Sequence, residues 1–504
     1  MSTSNAVVNN PLFLADFPDP AVLFVDGTFF MTTTSMHFMP GIPIMRSYDL
    51  ANWEVAAYVY PTFLSNAAHN LTDGQNIYAN GSWATSLRYH KEYFYVCFNC
   101  NDAQNTFVYR TKNILEGPWE HSILPGFHHD PSLLFEEDDR VYLVYGNGTI
   151  YIMELTGDAM RVKPDGIHRV LVDTPKVDGL NCEGSHIHKI DGRYYLMLIQ
   201  WPKTGTGRRI QWCYRCDTLL GTYEGRVVLD DSFGYKNNGV AQGGLFCANG
   251  HWYAMLFQDH DSVGRCPVLL PVVWEDGWPV LGRDGTVPAT YEVPFPARPL
   301  HPFTASDEFD YEQEALSLIW QFNHNPDNRY WSVTVRPGFL RLTNGTVSPC
   351  LVQARNTLTQ HTVAPTCTFW TKLDTDGMRP GDCAGIAAFQ HHFGMIGVYY
   401  GHNGKQLTMR VGDGAKETTC VNVALEQAQV YLKVDFDFTD GTDIARFYYS
   451  YDETVWREFG TQLKMTYLLE HFAGYRAALF SYATLSAGGY ADFDFMRFSD
   501  VNPS

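Results

Sequence analysis

Along the first half of the chain, an alternating or apolar run, a two-residue turn and a second run rich in aromatic and branched residues recur five times. The copies run from Asp19-Pro20 to a turn at Asp26-Gly27, from Trp83 to a turn around Lys91-Glu92, and from Asp130-Pro131 to Asp138-Asp139. The last two run from Glu183 to Asp191-Gly192 and from Gln242 to Asn249-Gly250. Asp-Gly and Asn-Gly supply the positive φ angles of a tight hairpin turn, and the second run of each copy fits a buried strand. A marked residue precedes each turn by seven or eight positions: Asp19, Trp83, Asp130, Glu183 and Gln242.

A period of roughly 50–65 residues built of antiparallel strands is the signature of a β-propeller. Five copies within about 290 residues predict five blades, each with room for two further strands, such as 44–46 with 53–58 and 107–110 with 119–121. The marked residues begin the innermost strands, which line the central axis. Their side chains are therefore expected to converge at one end of the channel, bringing three carboxylates from separate blades to one pocket.

Residues 283–306 are proline-rich and read as an extended linker lying along a surface. Beyond them, short alternating strands are expected at 331–335, 339–343, 385–389, 430–436, 446–450 and 492–498, which predicts a two-sheet β-sandwich. The resulting division is all-β: a catalytic propeller over 1–290, a linker over 291–306 and a sandwich over 307–504.

Composition narrows the function classes. The 504 residues suffice for two or three domains. A net charge of −19 argues against nucleic acid or an anionic membrane as partner. No apolar run approaches the ~18–20 residues of a membrane span. The N-terminus lacks the basic start and apolar stretch of a secretory signal, so the chain reads as cytoplasmic; four sequons at Asn70, Asn80, Asn147 and Asn344 leave secretion open. Eleven cysteines are scattered without a framework spacing and read as reduced thiols. Cys97-x-x-Cys100 and Cys213-x-x-Cys216 mimic a zinc pattern, but they fall in strands of different blades.

Two or three carboxylates in an uncharged, aromatic-lined pocket are what glycosidic-bond hydrolysis requires. One stays protonated to donate to the leaving oxygen, another stays ionised to act on water or on the sugar, and a third tunes the donor. Trp83, Trp201, Trp212 and Phe38 are candidates to stack on sugar faces. His37, His186 and His260 lie near the motifs and are candidates for either the pocket or the core. An Asp before a proline commonly caps a turn, so no single motif carries the reading; the repeated offset does.

Phe17-Pro18-Asp19-Pro20, His129-Asp130-Pro131-Ser132 and Glu183-Gly184-Ser185-His186 resemble the three acidic motifs of family 43 glycoside hydrolases. The segments 39–53, 81–88 and 263–278 resemble its β-xylosidase and α-L-arabinofuranosidase members. Asn323-His324-Asn325-Pro326-Asp327-Asn328 and the segment 353–360 resemble the lectin-like jelly roll that follows the propeller in those xylosidases. The resemblance implies that Asp19 is the general base, Glu183 the general acid, and Asp130 the residue that orients Glu183 and raises its pKa. It implies inversion, with Asp19 and Glu183 roughly 6.5–9.5 Å apart. Arg265 matches an arginine that grips the hydroxyls of the terminal sugar. His391-His392 is read as the sandwich loop that leans over the pocket.

No cofactor is required on this reading. A histidine that in many members helps hold calcium or another ion on the axis is replaced by Ala241, which has no donor. The amide oxygen of Gln242 is left as the candidate ligand of a structural calcium. The implied activity is an inverting exo-glycosidase removing terminal β-1,4-linked D-xylose from xylo-oligosaccharides, and terminal α-L-arabinofuranose as well. The alternatives are an arabinofuranosidase debranching arabinoxylan and a non-catalytic carbohydrate-binding propeller. The sandwich also offers an interface for a homo-oligomer.

Overall fold

The computed structural model describes residues 4–500. Five four-stranded antiparallel sheets follow one another as the blades of a propeller. Their innermost strands are Ala21–Val25, Ser82–His90, Ser132–Phe135, Gly179–Ile190 and Ala241–Ala248. In each hairpin the turn residues take the positive φ that their types favour, as at Asp26 (49°) and Gly27 (77°). Apolar side chains of adjacent blades interlock: Leu23 and Phe30 of the first blade pack with Leu87, Phe94 and Phe98 of the second.

The pocket end of the blades is shaped by backbone strain. Asp19, Asp130 and Gln242 stand immediately before or at the start of their inner strands with φ of 53°, 46° and 63°. This left-handed region costs a non-glycine residue roughly 1–2 kcal/mol. In the fourth blade the left-handed position is Gly184 (φ 68°), and the acid sits one residue earlier. The expectation that every marked residue begins its innermost strand is corrected for this blade. Glu183 lies inside the strand Gly179–Ile190, between register shifts at Leu180/Glu183 and Glu183/His186. Such bulges re-aim a side chain. Gly184 is required as glycine, because a Cβ there would fall 2.8 Å from Cγ of Gln242.

The segment expected to be linker begins as structure. Thr290–Pro296 is a strand that pairs with Asn5–Asn9. Val8, Tyr291, Val293 and Phe295 of this ribbon pack with Phe29 and Met31 of the first blade and Phe246 and Met255 of the fifth, sealing the junction where the ring of blades closes.

The C-terminal half is a sandwich of two antiparallel sheets around one large core. Four of the expected strands are longer than anticipated, at Asp382–Phe389, Gln429–Asp437, Ile444–Ser450 and Tyr490–Ser499, whereas only Trp331–Ser332 of 331–335 is strand. All eleven cysteines are free thiols. No helix among the described residues is long and apolar enough to cross a membrane.

The two domains are sewn together beside the pocket. Phe38–Met39 of the propeller adds an edge strand to the sandwich, paired with Gln321–Asn323. Phe38 is buried beneath the Arg476 guanidinium, 4.0 Å from its ring centroid. His37 is buried among Phe38, Tyr78, His324 and His471. Burial, aided by the neighbouring histidines, holds His37 well below the usual imidazole range. Asp16 is a second stitch: its two oxygens accept the backbone N–H of Arg265 and of Gly474, each at 2.8 Å. Asp16→Ala removes a buried charged acceptor from both amides at once. It is expected to destabilise the protein by about 2–4 kcal/mol, read as a lower urea midpoint; an unchanged midpoint would contradict the role of this stitch.

Candidate active site

A cavity of about 70 Å³ opens at the end of the propeller axis. It is lined by Asp19, Trp83, His129, Asp130, Glu183, Gln242, Arg265 and Phe472, with Met36 and Ala84 between them. The topology thus brings together the three acids and the marked residues Trp83 and Gln242, as the repeat predicted, and adds Arg265 from the fifth blade.

Each acid is compensated differently. Asp19 accepts the Thr34 hydroxyl at 2.6 Å and Nη1 of Arg265 at 3.1 Å on both oxygens. Glu183 meets His129 Nε2 at 2.9 Å and accepts from Asn147 Nδ2 at 2.5 Å. Asp130 accepts the backbone N–H of Gly184 at 2.9 Å, which fixes the residue next to Glu183, and lies 3.6 Å from His129 Nε2. Burial, with the charges of Glu183 and Asp19, pushes Asp130 up to about 6 despite the nearby imidazole. Burial alone would lower His129, but Asp130 and Glu183 outweigh it and push His129 up to about 9. His129 is therefore the resident cation of the acid pair at neutral pH.

Arg265 is almost fully buried and keeps two groups in reserve. Its Nη1 serves Asp19, while its Nε and Nη2 are buried with no protein partner. Phe472 covers the guanidinium at 4.6 Å and meets Trp83 edge to face at 6.0 Å. A sugar ring entering the cavity finds aromatic walls, carboxylates on the floor and free N–H donors at one side.

Several expected site residues lie elsewhere. His37 and Phe38 are seam residues between the domains, recruited there because the Phe38–Met39 strand completes a sandwich sheet. His186 is buried, and burial, with the charge of Arg88, lowers it to about 3; it packs at Gly244, where a Cβ would fall 2.8 Å from its Nδ1. Trp212 stacks on Tyr214 within the fourth blade. His260 stacks on Tyr235 and meets Gln258 at 3.0 Å.

The sandwich segment that reaches the pocket is 466–474, through Phe472, rather than His391-His392. The turn preceding those histidines supports it: Gln390 Nε2 donates to the carbonyls of Leu468 and Ala473. His129, Asn147 and Phe472 were not foreseen. His129 adjoins Asp130 and could have been found from that adjacency; Asn147 was legible only as a sequon.

The residues around Gln242 do not fit a calcium ion. Such an ion takes about six to eight oxygen ligands, whereas Gln242 offers one, Ala241 offers none, and the Gln242 side chain packs against Gly184.

Three carboxylates in one pocket beside unpartnered guanidinium N–H donors fit a sugar-hydrolysing class of enzyme. The comparisons give the particular family. The glycosyl hydrolases family 43 model matches residues 8–279, and the beta xylosidase C-terminal concanavalin A-like domain model matches residues 306–499. The chain belongs to family 43 and is a glycoside hydrolase. A beta-xylosidase of Formosa agariphila is 29% identical, with 98% of this chain and 90% of that protein covered. A non-reducing end alpha-L-arabinofuranosidase of Bacteroides ovatus is 27% identical over 83% of this chain and 81% of its own length. Among solved structures, a bifunctional GH43-CE protein of Bacteroides eggerthii superposes with a TM-score of 0.93 at 42% identity. That match covers 99% of this chain, which spans 64% of the longer protein. Enzymes of this family are generally cofactor-independent glycosidases, and membership sets aside the reading as a non-catalytic propeller.

The His129 shift carries a pH signature. Its folded value of about 9 lies above the ordinary 6.5. The stability it contributes is therefore fully present below about pH 6.5 and lost as pH rises through about 9. The gap in thermal midpoint between the protein and His129→Gln is expected to be widest near pH 6 and to shrink towards pH 9.5. A gap that widens with pH would contradict the imidazolium assignment.

Proposed function

We propose that the protein removes terminal β-1,4-linked D-xylose from the non-reducing end of xylo-oligosaccharides with inversion at the anomeric carbon. The observation that carries this reading is the arrangement of Asp19, Asp130 and Glu183, delivered by three blades to one pocket beside the unpartnered N–H groups of Arg265. The terminal sugar sits against Trp83 and Phe472, and Arg265 Nε and Nη2 donate to its hydroxyls. Glu183, protonated from the His129 imidazolium that meets it at 2.9 Å, gives that proton to the glycosidic oxygen as the bond from that oxygen to the anomeric carbon breaks. A water on the opposite face forms the new bond, and its proton passes to Asp19. Arg265 and Thr34 donate to Asp19 and orient its oxygens as acceptors.

Asp130 and His129 position the donor. Asp130 binds the backbone next to Glu183, and His129 and Asn147 fix the Glu183 carboxyl itself. We propose that terminal α-L-arabinofuranose is the second substrate, a reading supported by the relative of that name and by the similar hydroxyl geometry of the two sugars.

Two measurements test this. Glu183→Gln and Asp19→Asn are each expected to lower kcat on xylobiose by roughly a hundred- to ten-thousandfold; undiminished turnover by either would sink its assignment. On aryl glycosides, the unmodified protein is expected to favour the β-D-xyloside over the α-L-arabinofuranoside in kcat/KM. The reverse order would make it an arabinofuranosidase first.

A further inference from the structure

A group of ligand-type side chains lies away from the sugar pocket, where the first blade meets the second. His69, Cys100 and Asp102 bring an imidazole nitrogen, a thiol and a carboxylate oxygen within 4.8 Å of one another. His69 belongs to the turn-rich segment 61–81, between the outermost strand of the first blade and the innermost strand of the second. Cys100 ends the strand Tyr93–Cys100, and Asp102 stands in the turn that follows. Cys97, which with Cys100 mimics a zinc pattern in the sequence, does not join them. Three positions along a strand change the face. Cys97 packs with Leu133, Val141 and Leu143 of the third blade, whereas Cys100 packs with Ile42 and Ile44 of the first.

The three groups hold one another through protons. His69 Nε2 meets Asp102 Oδ2 at 2.8 Å, and the Cys100 thiol donates to Asp102 Oδ1 at 3.1 Å. With bonds of about 2.0–2.3 Å, the ligand atoms of a tetrahedral zinc site stand roughly 3.3–3.7 Å apart. Both contacts therefore need to open by only about half an ångström to admit the ion. His69 and Cys100 are buried, while Asp102 reaches solvent. That side gives an ion its entry path and a water its place as fourth ligand. His69 Nδ1 is buried without a partner among the described residues. The ring proton can therefore reside on Nδ1 and leave Nε2 bare for a cation.

We propose that His69, Cys100 and Asp102 form a zinc site. Imidazole, thiolate and carboxylate are a ligand set that selects zinc over calcium or magnesium. As the ion binds, the thiol S–H bond breaks, the proton leaves to solvent and the sulfur electron pair forms the bond to the metal; nothing is oxidised or reduced. The place of the site in the fold makes its role structural. Asp102 Oδ1 also accepts the N–H of Gly81 at 3.0 Å, at the head of the strand that carries Trp83. The His69 carbonyl accepts the N–H of Asn325 of the sandwich at 3.0 Å, and Asn325 Nδ2 donates to the carbonyls of Phe63 and Leu64. A zinc ion here ties the segment 61–81 to the second blade, beside one wall of the sugar pocket and at the contact with the sandwich. The site is independent of which sugar the enzyme cleaves.

The test uses the full chain, dialysed against a chelator and then titrated with Co²⁺ and Zn²⁺. Cobalt bound to a thiolate in a tetrahedral site shows a sulfur-to-metal band in the near ultraviolet and d–d bands in the red. About one equivalent of Co²⁺ is expected to develop these bands, and Zn²⁺ to bleach them by replacing the cobalt. Zn²⁺ is also expected to raise the thermal midpoint. Cys100→Ala is expected to abolish both the bands and the shift. Asp102→Asn is expected to weaken cobalt binding by about tenfold or more. Cys420→Ala removes the one cysteine classed as exposed and is expected to leave both readouts unchanged. Absence of the bands from the unmodified protein overturns the site, as does their survival in Cys100→Ala or their loss in Cys420→Ala. If the urea transition shows that Cys100→Ala does not fold, Asp102→Asn decides, and an unchanged cobalt affinity overturns the proposal.

Discussion

Burial of charge is the constraint on which the rest of the site depends. Several kcal/mol oppose each carboxylate taken out of water without a partner, and this pocket holds three. Arg265 and Thr34 compensate Asp19, His129 and Asn147 compensate Glu183, and Asp130 is met by a backbone N–H and shares the His129 charge. The compensating groups are themselves held. The backbone of Arg265 is tied to Asp16, and Asp16 is tied to Gly474 of the sandwich. The second domain is thus part of the electrostatics of the first, and it supplies the wall residue Phe472.

The same economy appears in the backbone. A propeller brings its inner strands to the axis, but ordinary strand geometry would aim side chains alternately to the two faces of each blade. Left-handed residues at Asp19, Asp130 and Gln242 turn the side chain towards the pocket at the point where each blade begins. The fourth blade reaches the same end by a different route, with two register shifts around Glu183 and a glycine in the left-handed position. Because Gly184 has no side chain, Gln242 can pack against it and Asp130 can reach its N–H. The acid at position 183 and the glycine at 184 are one device.

What the sequence revealed follows from this. The five hairpins were legible because Asp-Gly and Asn-Gly turns and apolar runs are local signals, and the acids were legible because they stand at a repeated distance from those turns. The position of Glu183 inside its strand, rather than at its start, was hidden, since a bulge inserts residues without changing composition. The fates of Phe38 and His37 were hidden for a different reason. They sit beside a catalytic motif in sequence, but their environment is set by docking of a domain that begins some 270 residues later, and strand periodicity carries no information about docking. The choice of His391-His392 as the covering loop erred for the same reason, though by a short distance in space: Gln390 holds the segment that does cover the pocket. Arg265 was foreseen only through its resemblance to a family motif, and its two free N–H groups only the structure reveals.

The central claim is that Glu183 and Asp19 act from opposite faces of one bound sugar, with water as the nucleophile. The most direct measurement is proton NMR of the first sugar released from a β-linked xylo-oligosaccharide, recorded before mutarotation equilibrates it. The account predicts that α-xylose appears first and that β-xylose grows in only at the mutarotation rate. β-Xylose as the first product would show retention, and would contradict the assignment of Asp19 as the base that activates water.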